Sequence, residues 1–189
     1  MKKSLFRRAF NRALHALARS CPGGTILRPA LHRLRGVKIS GSIWIGDDVY
    51  LENEYPECVE IHDHVLLSLK CIILAHTKGN GRVIIERDVL IGPLAVVVCQ
   101  SGKVLRIGEG AIISAGAIIM SSVPAHTIMA PPRATAVGKS MFPYWKTSIE
   151  DFMGGLEPMR RSSSSTNAKT TPPGPAPPPQ PIPPANLGK

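Results

Sequence analysis

Apolar residues recur at every sixth position through the middle of the chain. They run Ile39, Ile45 and Leu51, then Ile61, Leu67 and Ile73, then Ile85, Ile91 and Val97, and last Ile107, Ile113 and Ile119. Four residues beyond each anchor stands a small or branched one: Ile43, Val49, Val65, Cys71, Val89, Ala95, Ala111, Ala117 and Val123. Tyr55, Thr77 and Ser101 complete the series less regularly. The sets begin at Ile39, Ile61, Ile85 and Ile107, so each holds three hexads and a few extra residues. A simple strand alternates in and out with period two; a pattern that resets every six residues is that of a strand turning a corner. The reading is an all-β coil with three flat faces, whose anchors point inward. One coil cannot enclose its own interior, but stacked coils hydrogen-bond in parallel and bury a continuous apolar column. "IGDD" and "IGEG" supply turn chemistry at the corners.

Charge divides the chain differently. Residues 1–38 hold ten Lys or Arg and no acid, whereas residues 39–158 hold nine bases and thirteen acids. The net charge of +10 therefore belongs to the flanks and not to the coil. Nucleic acid is not the expected partner, because no base-reading motif or aromatic platform accompanies the basic segment. In "MKKSLFRRAFNRALHALARS" the residues Leu5, Phe6, Ala9, Phe10, Ala13, Leu14 and Leu17 fall at helical spacing among Lys and Arg. Two readings fit: a helix that docks on the core or a second subunit, and one that lies on an anionic membrane through residues 1–20. Arg7, Arg8 and Arg12 interrupt any leader-like apolar run, and no stretch has the length of a spanning helix. Four cysteines without metal spacing fit a reducing compartment. The expectation is a cytoplasmic protein, peripheral at the inner face of the membrane if the basic helix binds lipid. It divides into a basic helix and turn at 1–24, a coil with closing segment at 25–158, and a disordered Ser- and Pro-rich tail at 159–189.

The segments "SIWIGDDVYLENEYPECVEIHDHVLLSLKCIILAHT", "VIIERDVLIGPLAVVV" and "RIGEGAIISAGAIIMSSVPAHTIMAPPRA" resemble the hexapeptide-repeat acyltransferases. The resemblance is greatest to the maltose, galactoside and polysaccharide O-acetyltransferases, and covers about residues 25–138. It implies a left-handed parallel β-helix, a homotrimer with the active site between subunits, and acetyl-CoA as donor to a hydroxyl of a sugar or polysaccharide precursor. It also implies His76 as general base, since the family's catalytic His stands where His76 does, just before "VIIERDVLIG". A neutral imidazole is suited to that task near pH 7.

Counting back by one coil from His76 reaches Glu54, which either orients the ring or is a solvated corner residue. Pro93 and Ala115 fall where the family lines the pantetheine arm, and each is equally a plain corner. Pro93 departs from the small polar residue often found there and has no N–H to give. Leu90 stands where relatives of the maltose enzyme often carry Trp. Arg133 and Lys139, in a segment similar to the family's close, are candidates for the CoA phosphates or ordinary surface charges. His62 and His64, with His76, suggest zinc, but His62 and His64 open the first face of their coil while His76 ends the third, and no third His stacks on their edge, so no metal is expected. His126 reads as structural. Two alternatives remain: a non-catalytic trimeric scaffold, and N-acyl transfer to an amino sugar.

Overall fold

The computed structural model describes residues 5–75 and 81–158. Two helices come first, α1 (Leu5–Ser20) and α2 (Leu27–Arg35). The first coil is β1 (Lys38–Ile39), β2 (Trp44–Ile45) and β3 (Tyr50–Leu51). The second is β4 (Val59–Ile61), β5 (Leu66–Leu67) and β6 (Ile72–Leu74). The third is β7 (Arg82–Ile85), β8 (Leu90–Ile91) and β9 (Val96–Val98). The fourth is β10 (Val104–Ile107), β11 (Ile112–Ile113) and β12 (Ile118–Ile119), and β13 (Ile128–Met129) begins a fifth.

Corresponding strands pair in parallel and make three sheets, ordered β1-β4-β7-β10, β2-β5-β8-β11-β13 and β3-β6-β9-β12. This is the parallel β-helix that the six-residue period predicts. Anchors pair with anchors: Ile45 with Leu67, Leu67 with Ile91, and Ile91 with Ile113. Every anchor from Ile45 to Ile119 is buried, and Ile39, in the first strand, packs partly against the core. The nine residues four places on, from Ile43 to Val123, are buried as well.

The third corner differs from the hexad reading. Tyr55 is half-buried, Ser101 is exposed, and Thr77 lies outside the described residues. Val59, Val83 and Leu105 fill the core there instead. The reason is local: the extra residues of each coil fall at this corner, and the next strand resumes true alternation, so Val59 and Ile61 both point inward. The other two corners each use one left-handed residue. At the first these are Gly41, His64, Asp88, Gly110 and His126; at the second, Asp48, Lys70, Leu94 and Gly116. His126 is thus a corner residue, and a side chain added at Gly110 would meet its Nδ1 at 2.5 Å.

The stretch from residue 25 does not begin as coil. Positions 27–35 are helical, and α2 ends at Gly36, whose positive φ closes the helix by donating its N–H to Arg33 O and His32 O. Both helices bond the open edge of the first coil. Ile45 N–H donates to Gly24 O, Asp48 N–H to Arg19 O, and Arg28 Nη1 to Ile45 O at 2.9 Å. Arg35, fully buried, donates to Leu51 O at 3.1 Å and also to Glu52 O. Edge carbonyls that another chain could otherwise pair with are thereby occupied.

Residues from Ala134 form a separate unit. In it β14 (Gly138–Ser140) pairs antiparallel with β15 (Leu156–Pro158) around a short helix, α3 (Ile149–Gly154). Ser148 caps that helix by accepting the Asp151 N–H at 3.1 Å. The Ser- and Pro-rich tail from residue 159 lies outside the described residues.

Candidate functional site

Three corners run the length of the coil, and the third holds Glu52, Glu54 and Gly81. It follows β3, β6, β9 and β12, where each coil takes up its extra residues. Residues 76–80, His76 among them, lie outside the described residues, but the residues on either side, Ala75 and Gly81, are fixed in the coil. Ala75 is buried, and its N–H donates to Glu52 Oε2 at 3.2 Å. Glu52 is itself 1% exposed. Its Oε1 accepts the N–H of Glu54 at 2.9 Å and of Tyr55 at 3.2 Å. A carboxylate this deep is stable only when donors surround it, and here the donors are backbone amides of two successive coils.

Beyond residues 76–80, a Cβ added to Gly81 would fall on the Ala75 carbonyl oxygen and 3.0 Å from Gln100 O. Residues 75 and 81 therefore meet at one point of the coil, and only glycine fits at 81.

Glu54 is at the same corner. Arg8 Nε and Arg12 Nη2 each reach its carboxylate at 3.1 Å. Its partial burial works to raise its pKa, but the hydrogen bonds from Arg8 and Arg12 outweigh that and hold it below the usual carboxylate range. Pairing of Tyr50 with Ile72 and of Leu74 with Val98 gives the corner steps of 22 and 24 residues. The count that links 76 to 54 leads onward to Gln100 and then Ser122. A groove of about 300 Å³ lies there, lined by Cys99, Gln100, Lys103, Met120, Ser121 and Ser122. The sequence reading passed over Glu52, Gln100, Lys103 and Ser122, although the same count reaches Gln100 and Ser122.

Pro93 and Ala115 belong to the second corner, between β8 and β9 and between β11 and β12. They are neighbours in the stack: Gly116 N–H donates to Pro93 O at 2.9 Å, and a Cβ on Gly92 would meet Ala115 N at 2.7 Å. An apolar groove of about 240 Å³ lies beside them, bounded by Gly116, Ile118, Met129, Ala130, Pro131 and Pro132. Arg133 follows directly and is exposed. Lys139 is on β14 in the separate unit, paired with Glu157 across the hairpin. One copy of the coil thus keeps the Pro93–Ala115 corner and the Glu52–Gly81 corner on different edges.

His62 Nε2 meets Glu60 Oε1 and His64 Nδ1 meets Asp88 Oδ1, at 3.1 and 3.2 Å. Among the described residues no group of three or more His, Cys, Asp or Glu is arranged to hold a metal. Cys21, Cys71 and Cys99 are buried thiols outside any disulfide, and burial pushes the Cys71 thiol up to about 12, which makes it inert as a nucleophile.

No family model matches the chain. Over 48 residues it is 48% identical to a 2,3,4,5-tetrahydropyridine-2,6-dicarboxylate N-acetyltransferase of Enterococcus faecalis, covering 25% of this chain and 19% of that protein. Over 55 residues it is 47% identical to the enzyme of the same name from Staphylococcus aureus, covering 29% and 21%. The match spans about a fifth of the length of these curated relatives. Among solved structures it is similar to a hexapeptide-repeat containing acetyltransferase from Vibrio cholerae, with TM-score 0.47, 21% identity, and 65% and 84% of the two chains covered. It is also similar to a galactoside acetyltransferase in complex with coenzyme A, with TM-score 0.41, 18% identity and coverage of 65% and 75%.

Proposed function

We propose that the chain is an acyltransferase of the hexapeptide-repeat kind, passing acetyl from acetyl-CoA to a hydroxyl of a sugar or polysaccharide precursor, with His76 as general base. One observation carries the reading. The rigid coil clamps both ends of the segment that bears His76, through Glu52 on Ala75 and the close approach of Gly81. The short stretch of high identity to two N-acetyltransferases supports acyl transfer as the reaction class.

Transfer from a thioester to an alcohol needs a base for a hydroxyl that hardly ionises, a donor for the oxyanion, and a narrow seat for the pantetheine arm. In this reading His76 takes the proton and Glu54, steadied by Arg8 and Arg12, orients the ring. The apolar groove beside Ala115 suits the arm, with Pro93 as wall and Arg133 for the phosphates of CoA; Lys139, the other candidate for those phosphates, belongs to the separate unit. Because the two corners lie on separate edges, a homotrimer with each site shared between neighbouring copies would bring them together. A paired apolar row on the outer face of the second sheet, Trp44, Leu66, Leu90, Ile112 and Ile128, is of the kind a second copy covers. The work would be done in the cytoplasm, where thiols stay reduced.

A second reading is N-acyl transfer, for instance to an amino sugar; the names of the curated relatives favour nitrogen as the acceptor atom and do not bear on the sugar. Thiol release from acetyl-CoA, measured with hydroxyl and amino acceptors, separates the two. His76→Ala is expected to lose at least about a hundredfold in rate. Equal rates in wild type and variant would remove His76 from the mechanism.

A further inference from the structure

Both N-terminal helices are turned opposite to the usual sense. Toward the coil, α1 presents Asn11, His15 and Ala18, and α2 presents Arg28, Pro29, His32 and Arg35. Toward solvent stand Leu5 and Phe6, each 81% exposed, Leu17 at 52%, Leu34 at 58% and, just before α2, Ile26 at 78%, while Phe10, Leu14 and Leu31 are half-buried. A surface helix with only water outside it places its charges there and its leucines within. Helical spacing gathers Leu5, Phe6, Ala9, Ala13 and Leu17 into one exposed arc of α1 that contains no charged residue. Arg8 and Arg12 border that arc.

The inward polar set explains the orientation. Arg28 and Arg35 bond carbonyls of the first coil, and His15 packs edge-on against Tyr50 at 4.6 Å. The helices are locked by these contacts, so the outward apolar face is a built surface and not a frayed end. Large apolar side chains exposed on two helices that pack together call for a partner.

We propose that this face lies on an anionic lipid membrane, with Leu5, Phe6, Leu17 and Leu34 entering the headgroup boundary. Charge complementarity selects the occupant. Residues 1–38 carry ten bases and no acid. The acids near the helices, Asp47, Asp48 and Glu54, are already paired with Arg28, Arg19, and Arg8 and Arg12. Ten bases against those three acids and the buried Glu52 beside Arg35 still leave the segment positive around an apolar centre, which is the pattern of an interfacial helix on anionic lipid. Among the described residues no helix is long and apolar enough to cross a membrane, so the contact is peripheral.

The inference does not rest on acyl transfer, and its test reads no activity. The full chain is spun with phosphatidylcholine vesicles and with vesicles that also contain phosphatidylglycerol. The expected result is pelleting with the anionic vesicles only, weakened by added salt. Phe6→Glu combined with Leu17→Glu, and separately Leu34→Glu, should each reduce the bound fraction by at least about tenfold. Since all three side chains are exposed, the circular dichroism and melting of the variants should match wild type. No pelleting of wild type, or equal pelleting of the variants, would overturn the proposal. So would a wild type that binds no vesicles and whose assembly shrinks on light scattering with Phe6→Glu and Leu17→Glu; that result gives the face to a second copy.

Discussion

The carboxylate of Glu52 and the N–H of Ala75 meet at 3.2 Å across two coils, in a place that water does not reach. Ala75 is the last described residue before His76, and this bond ties its backbone to the coil beneath.

Glu52→Gln should show what the bond contributes. An amide keeps the shape but offers its own N–H toward backbone N–H groups, leaving at least one unpaired. The expected cost is about 1–3 kcal/mol of unfolding free energy, read from urea denaturation. In the acyl-transfer reading, kcat should fall more than KM changes, because Glu52 would act through the position of His76 and touch no substrate. An unchanged urea midpoint would show that the three donors have other partners.

Gly81→Ala is expected to disturb the same corner from the other side. The new methyl meets backbone oxygen and not a yielding side chain, so the strand after it must shift. A loss of about 1–3 kcal/mol should follow in thermal or chemical unfolding. Ala at Gly102 is a useful control in clash alone, since nothing lies within 4 Å there, although its positive φ adds a separate strain.

Acid should weaken the protein through the two buried imidazoles. Burial first, and then the charge of Arg35, push both His15 and His32 down to about 3. The folded chain holds both rings neutral while the unfolded chain protonates them near the ordinary 6.5, so the unfolded state takes up more protons between those values. Stability is therefore full above pH 6.5 and falls as pH drops toward 3, by up to about 1.4 kcal/mol per pH unit for each ring. Urea midpoints from pH 7 to pH 4 measure the slope. His32→Leu should flatten it, whatever that change does to stability at neutral pH.

Much of the coil could be read from the residues because burial there is a matter of spacing. Ile45, Leu67, Ile91 and Ile113 are one ladder in the structure and one column in the sequence. Tyr55 and Ser101 broke the column, since the extra residues of each coil fall at their corner and no hexad count resolves them. The helices were legible as helices in α1 but not in their orientation, and α2 was missed. Hydropathy ranks Arg35 and His32 as surface residues; the structure buries Arg35 because open carbonyls of the first coil need donors, and His32 beside it with its Nδ1 3.3 Å from Arg35 Nη1. Glu52 was hidden for the same reason. Its use depends on backbone amides gathered from Glu54, Tyr55 and Ala75, which no side-chain pattern records. Glu54 was found by counting, yet its tie to Arg8 and Arg12 spans more than forty positions and had no signature.

Parallel stacking also bears on how this column varies in height. Each layer offers the next an equivalent row of amides and carbonyls, so inserting or excising a whole turn between β7 and β12 would preserve pairing above and below it. Length can drift freely in such a molecule, while the seal that α1 and α2 form over the first layer cannot. Losing that seal would expose an uncapped end onto which another chain could continue the stack, turning a discrete particle into the start of a fibre.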